Sequence, residues 1–130
     1  KDISGDRKIF LAYNIREDKL IRLPDMCSAR SYHTSLFHES LKSLVVFGGE
    51  NNCTCEMYDF YLNMWNDFPE LNCPRANIEM VFNQQATLAY SLFGVTGDMV
   101  KRQISDVIEV IDMIDLNKGW YKVEYINKTG

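Results

Sequence analysis

Residues 45–53 read VVFGGENNC: Val45, Val46 and Phe47 run straight into Gly48 and Gly49, and then into Glu50, Asn51 and Asn52. β-branched and aromatic residues in a short run favour an extended strand. Two glycines directly behind it free the backbone for positive φ and for close approach by another segment. The sequence therefore describes a crowded strand end. What crowds it is found by comparing the chain with itself.

The stretch AYNIREDKLIRLPDMCSAR (12–30) matches MYDFYLNMWNDFPELNCPR (57–75) without a gap. Tyr13 falls on Tyr58, Leu20 on Trp65, Leu23 on Phe68, Pro24 on Pro69 and Arg30 on Arg75, all at one offset of 45 positions. Farther on, LVVFGG (44–49) finds a counterpart in YSLFGV (90–95), with Gly94 placed against Gly48 and Val95 against Gly49. A third likeness sets MIDLNKGWYKV (113–123) beside MYDFYLNMWNDF (57–68), with Trp120 for Trp65. Its offset is 55, so about ten residues enter between, most naturally in the polar GDMVKRQIS (97–105). Such internal periods mark repeat architectures.

Inside each period the apolar spacing is that of strands. KIFLAYNI, KSLVVF, ATLAYSLF and DVIEVIDMI are short, rich in β-branched and aromatic residues, and bounded by turn formers. The expected strands are 8–15 and 18–24 in a half unit, then 31–37, 43–49, 54–60 and 64–69. A last set covers 76–82, 87–94, 106–114 and 119–125. Four antiparallel strands repeated every 45 to 55 residues describe blades of a β-propeller, in which the second strand lies near the crowded axis. The fold class expected is thus all-β, a partial propeller: half a blade over 8–24, a blade over 30–69, and a blade over 75–125 with an inserted loop near 95–105. Tyr58 and Trp65 are expected to wedge between neighbouring sheets, as large buried aromatics do.

Composition sets the outer bounds. The 130 residues are 46% apolar and 25% charged, with a net charge of −4. That acidity argues against nucleic acid as the main partner, because phosphate binding needs a basic surface. No apolar run approaches the length that spans a bilayer, so no membrane partner is expected. Cys27, Cys53, Cys55 and Cys73 show no CxxC spacing and read as reduced thiols, which leans towards a cytoplasmic protein. Sequons occur at Asn52 and Asn127. The chain opens on KDISGD with no initiator Met or leader, and two and a half blades leave a ring unclosed. It therefore reads as a segment whose remaining blades come from the same longer chain or from other subunits.

These residues also resemble a known family. FGG at 47–49, Tyr58 with Asp59, Trp65, and Pro74 with Arg75 resemble the Kelch repeat: a double glycine, then Tyr-Asp, then Trp about six residues later. The last unit carries a weaker form, with Gly94, Ile114 with Asp115, and Trp120. Gly-His followed by Trp-Asp, the mark of WD repeats, is absent, since Trp65 precedes Asn66. The resemblance implies a protein–protein interaction module gripping a protein or peptide partner with one rim of loops, as substrate receptors of ubiquitin ligases and scaffolds do. The alternative it leaves is the propeller domain of a larger enzyme, such as a Kelch-containing phosphatase, with catalysis elsewhere.

No catalytic, metal or cofactor site is expected within the segment. His33 reads as structural and His38 with Glu39 as a solvated turn; Glu109, Asp112 and Asp115 alternate faces at strand spacing and read as a soluble edge. The rim loops implied by the resemblance are 24–32, 50–53, 69–77 and 95–105. Within them Lys101 and Arg102, beside Met99 and Val100, suit an acidic or mixed peptide. Tyr32 and Asn77, each two residues past the arginines Arg30 and Arg75, complete the expected contact set. The arginines themselves are expected to brace the start of each strand set.

Overall fold

Strand-length apolar runs separated by turns form the sheets that their alternation demands. The computed structural model describes residues 7–97 and 100–124. Strands β1 (Phe10–Asn14) and β2 (Lys19–Leu23) pair into a two-stranded sheet. β3 (Thr34–His38), β4 (Ser43–Phe47), β5 (Cys55–Asp59) and β6 (Met64–Phe68) follow as a four-stranded antiparallel meander. β7 (Glu79–Phe82) and β8 (Leu88–Leu92) begin a second four-stranded sheet. A small hairpin, β9 (Val95–Thr96) with β10 (Gln103–Ile104), interrupts it before β11 (Ile108–Asp112) and β12 (Tyr121–Lys122) complete the order β7-β8-β11-β12. The chain is all-β, built on four-stranded antiparallel sheets. No helix among the described residues is long and apolar enough to cross a membrane.

The sheets stack face to face in chain order. Alternate residues of β4, β5 and β6 (Val45, Phe47, Cys55 and Phe68) meet Met80, Ala89 and Ile111 of the following sheet in one buried core, closed by Leu71, Ile78 and Trp120. The opposite face of the middle sheet turns to the first. There Tyr58, 1% exposed, lies edge-on to Phe10 with ring centroids 4.9 Å apart and beside Trp65 at 5.3 Å. Trp65 Nε1 donates to Pro24 O at 2.8 Å, and Trp120 Nε1 donates to Pro69 O at 2.9 Å. Each tryptophan thus ties its own unit to the proline that ends the preceding one.

A buried ion pair repeats with the same logic. Arg30 donates through Nη1 to Gly48 O and Thr54 O, and through Nη2 to the Glu56 carboxylate at 2.7 Å. Glu56 in turn accepts the backbone N–H groups of Cys27 and Ser28. One unit later Arg75 donates to Phe93 O, Val107 O and, at 2.8 Å, to Glu109, which accepts from the Asn72 backbone N–H and side-chain amide. Both side chains of that second pair are 0% exposed. The arginines do brace the start of each strand set, whereas Glu109 does not belong to a soluble edge. Sequence spacing gave it no reason for burial, because its partner lies 34 residues away. Asp112 caps the next turn instead, accepting from Ile114 N.

His38 also departs from expectation. It is buried, donating from Nε2 to Ala86 O at 2.9 Å, accepting Leu41 N–H at Nδ1, and lying edge-on to Phe82. Glu39 alone fits the solvated turn, paired with Lys42. The Asn52 amide donates to Ser28 Oγ and Ala29 O of the connection between β2 and β3, while Asn127 lies outside the described residues. Apart from the β9–β10 hairpin, the observed strands lie within the expected ones and are mostly shorter, except β3, which runs one residue past its expected end to His38, and residue 125 of the last expected strand lies outside the described residues.

Gly48 and Gly49 sit where the next unit arrives. Their φ values are +59° and +129°, and Gly49 N–H donates to Arg75 O at 3.0 Å. A Cβ on Gly48 would lie 2.7 Å from the same carbonyl. Gly48→Ala is therefore expected to lower the unfolding free energy measured in urea by at least about 1 kcal/mol, the cost of left-handed backbone for a residue with a Cβ. A second expectation concerns acid. Burial of Glu56 pushes its pKa up, but Arg30 and the Cys27 and Ser28 amides outweigh it and hold the value below the ordinary 4.5. A depressed carboxylate stabilises the fold above the unfolded value and loses that contribution as pH falls through the folded one. Urea midpoints should thus drop below about pH 4.5, and Glu56→Gln should flatten that slope.

Candidate functional site

Tyr32 and Asn77 stand at corresponding places, each just before the first strand of a four-stranded sheet. Both adopt left-handed backbone, with φ of +56° and +53°. Asparagine accepts that conformation readily; a tyrosine does so at a cost of roughly 1–2 kcal/mol. The two are joined directly, since Asn77 N–H donates to Tyr32 O at 2.9 Å. The turn at the start of one sheet therefore fixes the turn at the start of the next.

The described residues of the inserted stretch 95–105 include a short hairpin, β9 with β10. Ala76 and Val95 exchange two backbone hydrogen bonds at 2.9 Å, and this bridge roots the β9–β10 hairpin on the segment leading to Asn77. Arg102, on this hairpin, has its guanidinium carbon 5.8 Å from the centroid of the Tyr32 ring. A cation over an aromatic face is attracted by the ring quadrupole, by roughly 0.5–1 kcal/mol at an exposed site. Tyr32 remains 50% exposed beneath it. Lys101 is exposed on the same turn, with Val100 before it and Ile104 beyond, both strongly exposed. Asp98 and Met99, the latter read above as part of this loop, lie outside the described residues. Three of the four expected contact residues, Tyr32, Asn77 and Arg102, are thus linked in one cluster, and Lys101 flanks it.

Phe93 escaped the sequence reading because the repeat was aligned one residue out. Arg30 bonds Gly48 O and Arg75 bonds Phe93 O; Phe47 pairs with Thr34 and Leu92 with Glu79. Gly48 therefore corresponds to Phe93, with φ of +59° and +60°, and Gly49 to Gly94. A strict 45-residue register would have shown it. Phe93 is half-exposed and left-handed at a position that the middle unit gives to glycine. At Gly48 a Cβ would strike the Arg75 carbonyl of the arriving unit, whereas the side chain of Phe93 is accommodated at the matching place in the last unit.

Among the described residues no group of three or more His, Cys, Asp or Glu is placed to hold a metal ion. The four cysteines are free thiols, and burial pushes that of Cys55 up to about 12. An open cavity of about 650 Å³ lies beside Cys27, Asp67, Glu70 and Leu116, away from the Tyr32 cluster. No family model matches the chain, and no match is found among curated proteins.

Tyr32→Asn and Arg102→Ala remove the ring and the cation while preserving the turn. Tyr32→Asn is expected not to lower the unfolding free energy in urea titrations, since relief of roughly 1–2 kcal/mol of left-handed strain offsets the loss of a cation–aromatic attraction of roughly 0.5–1 kcal/mol.

Proposed function

We propose that the chain is a segment of a Kelch-type β-propeller that acts as a protein-interaction module, with Tyr32, Asn77, Lys101 and Arg102 forming part of the surface that meets a protein or peptide partner. The observation that carries this reading is the Arg102–Tyr32 stack held on the Asn77–Tyr32 hydrogen bond. It spends a strained tyrosine and an inserted hairpin on an exposed cluster that contributes little to the core. Backbone strain of this kind accumulates at functional sites. The stacked Tyr and Arg are side chains that dominate protein interfaces. With Lys101 adjacent, the cluster favours a partner segment carrying carboxylates beside apolar residues.

The double glycine at Gly48 and Gly49, the tyrosine between sheets and the repeated tryptophan-to-proline bonds support the propeller part of the proposal. Face-to-face stacking in chain order supports it as well. Crosslinking capture from cell extract with the wild-type chain and with the Tyr32→Asn, Arg102→Ala double variant provides the test. The reading expects a defined set of proteins whose recovery falls at least tenfold in the variant and is unchanged by Lys122→Ala on the far strand. Equal recovery by all three would remove the cluster from the binding surface.

A further inference from the structure

Two hairpin tips share one backbone and differ in what they show to solvent. β1 turns into β2 through Ile15, Arg16, Glu17 and Asp18; 45 positions on, β5 turns into β6 through Phe60, Tyr61, Leu62 and Asn63. Asp18 and Asn63 both take φ of +53°, and each accepts a tyrosine hydroxyl, from Tyr13 and Tyr58 respectively. A polar side chain caps both turns. Asn14 accepts Glu17 N–H at 3.1 Å, and Asp59 accepts Tyr61 N–H at 2.8 Å and Leu62 N–H at 3.1 Å. Such a turn makes no demand on its two central side chains, and the first hairpin fills them with Arg16 and Glu17, both exposed. The second places Tyr61 and Leu62 there, 80% and 64% exposed. Turn tips ordinarily carry small or polar residues, so packing does not account for an aromatic ring at this one.

Among the described tyrosines, Tyr61 alone presents an open ring and an unbonded hydroxyl from a turn. The hydroxyls of Tyr13 and Tyr58 are taken, and the Tyr58 ring is buried. Tyr32 lies beneath Arg102, and Tyr90 and Tyr121 are held in the ladders of β8 and β12. A cation stands beside the tip, since Phe60 N–H donates to Lys42 O at 3.2 Å. The Lys42 ammonium is bonded to Glu39 at 2.7 Å, on a turn where both side chains are exposed. That bond, and more weakly the Tyr61 hydroxyl, raise the Lys42 pKa above its usual 10.5.

We propose that Tyr61 is a phosphorylation site for a tyrosine-directed protein kinase, with Lys42 as the cation that receives the phosphate. The kinase supplies a nucleoside triphosphate. The bond from Tyr61 Oη to the γ-phosphorus forms as the bond to the β-phosphate oxygen breaks; the phenolic proton passes to the kinase's base, and nucleoside diphosphate leaves. The product carries a charge of about −1.5 to −2 and three acceptor oxygens at the end of an exposed ring. Lys42 exchanges its solvent-exposed bond to Glu39, worth little by itself, for the larger charge of the phosphate. Asp59 before Tyr61, and the exposed Leu62 and Met64 after it, give the kinase an acid and two apolar contacts along the same tip. The tip lies at the strand ends opposite Tyr32, so this site stands independently of the cluster there.

The test uses the full chain, magnesium ATP, and a tyrosine kinase chosen because it phosphorylates the free peptide DFYLNMWN, residues 59–66. The folded chain should take up phosphate on Tyr61, located by peptide mass mapping, at no less than about a tenth of the peptide's rate. Incorporation at Tyr13, Tyr32, Tyr58, Tyr90 and Tyr121 should each be at least about tenfold lower than at Tyr61. A slower rate at Tyr61, or equal incorporation at any of those five, would overturn the site. Lys42 has its own readout. In the phosphorylated chain, Lys42→Ala should raise the pH midpoint of the phosphate followed by phosphorus NMR, because a nearby cation favours the dianion. An unchanged midpoint would remove Lys42 from the site.

Discussion

A guanidinium held without water against a carboxylate is the constraint on which the stack of sheets depends. Arg75 leaves the segment between sheets, passes under two strand ends, and reaches Glu109 on the third strand of its own sheet. Glu109 then holds Asn72 on the same connecting segment. Charges buried this deeply are tolerated only when paired and hydrogen-bonded on their remaining sites. Here that requirement dictates the path of the connection, and Arg30 with Glu56 dictates it again one unit earlier. The hydrophobic cores fix that sheets face each other; the ion pairs fix at which register and along which route.

From that route the exposed features follow. Because each connection is pinned, the turns ahead of β3 and β7 come within hydrogen-bonding distance, which places Tyr32 under the hairpin carrying Arg102. The same pinning drives Arg75 O against Gly48 and makes a side chain there intolerable. In the last unit the corresponding position carries Phe93, so the molecule is not a uniform repeat. The middle unit has a glycine under the arriving carbonyl, and the last a half-exposed aromatic.

Much of this architecture was legible in the sequence, for identifiable reasons. Strand runs and turn formers placed the sheets, and a shared offset aligned Tyr13 with Tyr58 and Pro24 with Pro69 without reference to space. The double glycine announced a close approach, and the approaching atom is the Arg75 carbonyl. What was not legible depends on partners distant in the chain. Glu109 looks solvated until Arg75 is seen beside it, and His38 looks like a turn residue until Ala86 and Phe82 enclose it. The one-residue slip at Gly94 came from matching letters, FG to FG, where hydrogen-bond register matches Gly48 to Phe93. The cluster at Tyr32 was half visible: its residues could be named, but the hairpin that carries Arg102 to the ring could not.

The most direct measurement is a double-mutant cycle on the second ion pair, with Arg75→Met, Glu109→Leu and both together compared by urea unfolding. Removing one partner should cost about 3–5 kcal/mol, because a buried charge is left alone. The double variant should recover at least about 2 kcal/mol of the summed loss, a coupling expected of groups in direct contact. Losses that simply add, within about 0.5 kcal/mol, would show that the two charges do not organise the connection between sheets.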